Sequence, residues 1–144
     1  MMVWTRLLVG AMTFLAAHLV IVARWHAWFG GADAAGGNPP YAPWFMNSTS
    51  AVAFTVVSFV LVNLVVSLVG ARHRPDQAAI GACYVAAGAV VVMTIVLFTY
   101  PGGPGNLFPI ALTIGAALIT VSSVAGAMAA WLFTKAPLAR SAQK

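Results

Sequence analysis

The chain has 144 residues, of which 62% are hydrophobic and only 6% charged, and its mean hydropathy is +0.95. Soluble domains carry about a quarter charged residues, so this composition excludes a water-facing surface and places the chain in a membrane as a single all-α unit, residues 1–144. The net charge of +5 comes from seven basic residues against Asp33 and Asp76; the basic residues form no stripe and no base-stacking platform, which excludes nucleic acid as a partner.

Four apolar runs follow in chain order. The first span is predicted over residues 4–24, with an uninterrupted apolar stretch between Arg6 and Arg24 and with Trp4 and Trp25 at the two interfaces. Its apolar run exceeds the ~7–15 residues of a signal-peptide core, so it reads as a retained helix. The second span is expected over 51–69, behind Ser48, Thr49 and Ser50 as candidate caps. The third covers 78–99, with Asp76 a candidate cap after Pro75. The fourth covers 107–134, which as a helix measures about 42 Å. A hydrocarbon core of ~30 Å requires such a helix to tilt or protrude.

Lys and Arg set the orientation. Arg6, Arg72, Arg74, Lys135, Arg140 and Lys144 fall on one side and only Arg24 on the other. Both termini are therefore expected on the cytoplasmic side of an inner membrane, cytoplasmic or intracytoplasmic. The two halves show a weak two-hairpin pattern, but their loops differ too much for a duplication.

The first outer loop, "WHAWFGGADAAGGNPPYAPWFMNSTS", is long for a helix connection and rich in rings: Trp25, Trp28, Phe29, Tyr41, Trp44 and Phe45. Either these rings anchor the loop at headgroup level, or they dock another subunit. The second outer loop, within "TYPGGPGNLFPI", is explained by turn chemistry. Pro101 ends a helix, three glycines permit tight turns, Asn106 is placed to cap the next helix and Pro109 suits its first turn.

Few residues offer chemistry. His18 is an ionisable residue inside the first span, hence a candidate ligand for a haem or pigment, or else a neutral histidine hydrogen-bonded within the bundle. Neither His26 nor His73 matches its depth, so a bis-histidine haem is not expected. Metal-binding spacings are absent, and Cys83 stands alone as a small buried hydrophobe. Thr55, Phe59, Asn63 and Ser67 share one helix face suited to interhelical hydrogen bonding. Two small-x3-small faces occur: Ala79, Cys83 and Ala87 in the third span, and Ser122, Gly126 and Ala130 in the fourth. Such faces let helices approach closely, within the bundle or on a partner. Together with the loop aromatics, Asn63, Ser122, Gly126 and Ala130 are the expected interface residues.

The segments "RWHAWFGGAD", "ARHRPDQAAIGACYVAAG" and "TYPGGPGNLFPIALTIGAALI" resemble the first four spans of the A subunit of the particulate methane, ammonia and hydrocarbon monooxygenases, with Thr99, Tyr100, Asn106, Phe108 and Pro109 as the matching positions. That subunit continues into further spans, and the family's copper ligands lie mostly on other subunits. The resemblance therefore implies a companion role rather than a catalytic one. The expectation is a non-catalytic membrane subunit of a larger oxidoreductase, copper-dependent through other chains, with other membrane subunits and lipids as partners. A pigment- or haem-binding subunit using His18 and a stand-alone oligomeric transporter are the alternatives.

Overall fold

The computed structural model describes residues 3–28, 49–70, 74–99 and 108–141, with side chains described for 3–24, 49–70, 74–99 and 108–135. These residues form four helices and no strand: α1 (Val3–Trp28), α2 (Thr49–Val69), α3 (Pro75–Thr99) and α4 (Phe108–Ser141). Each contains a segment long and apolar enough to cross a bilayer: Val3–Arg24, Thr49–Val69, Pro75–Thr99 and Phe108–Lys135. The chain is thus a multi-pass, all-α membrane protein. The helices form because lipid cannot hydrogen-bond the backbone, so every N–H and C=O must be satisfied within its own segment.

Helix starts differ slightly from the expected caps. The carbonyl of Arg74 accepts the first helical bond of α3 from the N–H of Ala78 at 3.0 Å. Arg74 is therefore the cap residue. Pro75 occupies the first helical position, where its missing N–H costs nothing, and Asp76 lies in the first turn instead of capping it. Thr49 and Ser50 are already inside α2; Ser48 and Asn106 lie outside the described residues. The last helix runs 34 residues, about 51 Å, well beyond a hydrocarbon core of ~30 Å.

Helices adjacent in sequence are not the ones that pack most closely. Around the bundle the order is α1, α3, α4, α2; α3 packs extensively on both α1 and α4, α4 also on α2, while α1 and α2 touch far less. Ring contact between Phe98 and Phe108, with centroids 4.6 Å apart, ties the end of α3 to the start of α4. Further along, Ala78 and Ala82 meet Ala127, so this pair is antiparallel. The pairs α1/α3 and α2/α4 run parallel. At the centre, Phe14, Thr55, Met93 and Ile119, one from each helix, surround a void of about 10 Å³.

Glycines set the closest approaches. A Cβ on Gly10 would strike the carbonyl of Val85, and one on Gly88 would strike the carbonyl of Leu7. Each glycine thus sits against the carbonyl three residues before the other, the geometry of a tight parallel crossing with Cα–H groups facing carbonyl oxygens. The α2/α4 crossing repeats half of this arrangement. Gly126 sits against the Val60 carbonyl, and its Cβ would lie 3.0 Å from the Cβ of Asn63.

Candidate functional site

The face read from the spacing of α2 lies inside the molecule: Ala51, Thr55, Phe59, Asn63 and Ser67 are all buried. Opposite it on α4, Ser122, Gly126 and Ala130 are buried as well. Asn63, Ser122, Gly126 and Ala130 therefore line the seam between α2 and α4. Of the two readings open for these faces, within the bundle or on a partner, their burial places them within the bundle. The hydrogen bonds of this seam also run within each helix rather than between helices. Thr55 Oγ1 donates to the Ala51 carbonyl at 2.9 Å, Asn63 Nδ2 to Phe59 at 2.9 Å and Ser122 Oγ to Leu118 at 2.6 Å. Each group turns back one turn along its own helix, satisfying itself before it meets a neighbour. Ser123, by contrast, is fully buried with a hydroxyl that has no hydrogen-bond partner.

The other small-residue face points outward. Cys83 and Ala87 are exposed and Ala79 half-buried, so Cys83 faces the surroundings of α3 and is not a core residue as expected. Exposure on a membrane helix means contact with lipid or with another chain, and a small apolar side chain tolerates either.

His18 is half-buried, with its ring nearly parallel to that of Phe14 and centroids 6.2 Å apart. It belongs to the side of α1 that packs inward one turn beyond Phe14. The described residues bring no three His, Cys, Asp or Glu side chains together. Trp25 and Trp28 lie on the last turns of α1 with side chains outside the described set; Phe29, Tyr41, Trp44 and Phe45 lie outside the described residues altogether.

The weak contact between α1 and α2 leaves a cleft of about 540 Å³. On the α1 side Val9, Met12, Thr13, Ala16, Ala17 and Val20 line it; on the α2 side, Phe54, Ser58, Leu61 and Val62. His18 is not among these residues. The two hydroxyls in the wall are internally satisfied, Thr13 by the Val9 carbonyl and Ser58 by the Phe54 carbonyl, each at 2.7 Å. The cleft is consequently hydrocarbon-like: it offers shape and apolar area and no free polar group from those hydroxyls. Its ingredients were visible as alternating small and branched residues in the first span, but nothing in the spacing announces that α1 and α2 stand apart.

Arg6 is the most buried charged residue described, 8% exposed, with its guanidinium lying where a side chain on Gly81 would be. Sequence reading took Arg6 only as a topology signal. The signal that could have found its niche is the solitary Gly81 in the first turns of the third span. No protein-family model matches the chain, and neither a characterised protein nor a solved structure is significantly similar to it.

Proposed function

We propose that the chain is a non-catalytic subunit that assembles or stabilises a larger membrane oxidoreductase complex, and specifically a copper-dependent particulate monooxygenase, with the copper held by other subunits. The observation that supports a subunit role is the open α1/α2 edge. Three sides of the bundle are closed by tight helix packing, while the fourth presents an apolar cleft between residues 9–20 of α1 and 54–62 of α2. A helix from another membrane subunit would bury this surface with no unsatisfied polar cost from its two hydroxyls. The oxidoreductase class comes from the resemblance of residues 99–109 and the two earlier segments to the monooxygenase A subunit. On this reading the chain sits in an inner membrane with both termini cytoplasmic, following its basic residues.

Purification in mild detergent followed by mass spectrometry tests the proposal. Co-purification with the subunits of a copper monooxygenase is the expected result. Recovery of the chain alone, or with an unrelated complex, overturns the assignment.

A further inference from the structure

We propose that Arg6, in the notch over Gly81, binds the phosphate of an anionic phospholipid at the end of the bundle shared by the N-termini of α1 and α3. The proposal begins with a charge that lacks a partner. Arg6 is more than nine-tenths buried, and among the described residues no hydrogen bond or ion pair reaches its guanidinium. Arginine does not discharge by losing its proton, so a guanidinium on a side chain this far withdrawn from solvent favours an anion or a set of acceptors beside it. The described residues supply little to serve. The first turn of α1 carries no acidic residue, and the one acid described, Asp76, is exposed in the first turn of α3 and makes no ion pair with Arg6.

The two helices that flank Arg6 add positive potential rather than cancel its charge. Arg6 is the fourth residue of α1, about 5 Å from its N-terminus, where the aligned peptide dipoles are positive. The start of α3 is on the same end, because α1 and α3 run parallel. Arg74 and Lys135, both exposed, lie at that end too. Gly81 is what creates the niche: a Cβ there would coincide with the guanidinium itself.

Position selects a lipid as the source of the anion. Trp4, two residues earlier, is 79% exposed, as expected of an anchor at the membrane–water boundary. Arg6 is then at the level where phospholipid phosphates lie. A fixed guanidinium and two helix N-termini suit a phosphodiester with a net negative headgroup over a zwitterionic one.

The test is native mass spectrometry of the full chain, with whatever subunits accompany it, titrated with phosphatidylglycerol, phosphatidylcholine or inorganic phosphate. Wild type is expected to prefer phosphatidylglycerol to phosphatidylcholine. Arg6→Gln should weaken phosphatidylglycerol binding by about five-fold. Gly81→Ala should do the same while keeping the charge: its methyl displaces only the far end of a flexible side chain, so the helices need not move. This variant keeps the test decisive should Arg6→Gln fail to fold. Arg74→Gln, at an exposed site, should leave the affinity nearly unchanged. Equal binding by wild type, Arg6→Gln and Gly81→Ala overturns the proposal. So does an equal loss in Arg74→Gln, which would mark diffuse surface attraction, or displacement of the lipid by millimolar inorganic phosphate, which would mark a free-anion site. Cross-linking of Arg6 to a partner's carboxylate, with lipid affinity insensitive to Arg6→Gln, would make it a subunit contact instead.

Discussion

Gly10 on α1 and Gly88 on α3 hold each other's helices in place: each lies against the backbone carbonyl three residues before the other, on Val85 and Leu7. Because the obstacles are backbone atoms, neither helix can make room for a side chain by changing a rotamer. Gly10→Val and Gly88→Val should each destabilise the bundle by about 1–3 kcal/mol. Equilibrium unfolding in mixed micelles, followed by helical circular dichroism, measures this. A wild-type midpoint for either variant would show that the crossing is not a stability determinant.

The α2/α4 crossing permits a sharper contrast. Gly126 meets the Val60 carbonyl first and the Asn63 side chain second. Gly126→Ala should therefore destabilise, and adding Asn63→Gly should not rescue it, since the nearer obstacle is backbone. Asn63→Ala alone should cost less, about 0.6 kcal/mol, the average for a polar group between membrane helices; its amide bonds mainly its own helix. Rescue of Gly126→Ala by Asn63→Gly in the same unfolding assay would contradict this order of contacts.

Ser122 and Ser123 are neighbours with opposite expectations. The Ser122 hydroxyl is satisfied by the Leu118 carbonyl, whereas that of Ser123 is buried without a partner. Removing an unsatisfied buried hydroxyl recovers its desolvation cost, about 1 kcal/mol. Ser123→Ala should accordingly raise the unfolding midpoint and Ser122→Ala leave it unchanged or slightly lower. The reverse ranking would place the unsatisfied hydroxyl on the wrong serine.

Much of this architecture is legible in the sequence, and the reason for the remainder is specific to membranes. The four spans follow from hydropathy alone, and the buried face through Thr55, Asn63 and Ser67 follows from four-residue spacing, because polar groups avoid lipid. The partner of each face does not follow. The same small-x3-small pattern is buried at Ser122, Gly126 and Ala130 and outward at Cys83 and Ala87. Lipid is as apolar as a helix core, so hydrophobicity cannot distinguish inside from outside there. Gly10, Gly81 and Gly88 mark the tightest contacts of α1 with α3, yet a solitary glycine carries no periodicity to read. The separation of α1 from α2, and with it the cleft, depends on which helices win the close crossings and is invisible to any single span.

Orientation is testable independently of partners. The proposed arrangement puts the chain's end after residue 135 on the cytoplasmic side and the connection between α1 and α2 outside. A reporter active only in the cytoplasm should work when fused after residue 144 and fail when inserted between residues 29 and 48. Replacing Arg72, Arg74 and Lys135 with glutamine should weaken this preference, because these cations set it. Activity of the reporter at the inserted site and silence at the C-terminal fusion would reverse the topology.

The cleft gives the subunit proposal its mutational test. Ala16 is exposed on the cleft wall of α1 and Leu61 on that of α2. Enlarging Ala16 to Phe or Leu61 to Trp fills the space from the outer side and leaves the crossings at Gly10, Gly88 and Gly126 untouched. Neither change should alter the isolated chain's stability by more than about 0.5 kcal/mol, as for exposed positions elsewhere. Both should strip partner subunits from the purified material, because a helix seated between α1 and α2 would lose shape complementarity at its centre. A bulky change at Cys83, on the opposite type of surface, is the comparison. If Cys83→Phe removes the partners while Ala16→Phe and Leu61→Trp retain them, the docking surface is the outward face of α3 and not the cleft. If all three variants keep a full complement of partners, assembly runs through neither surface, and the open edge of the bundle would then have to be accounted for by lipid alone.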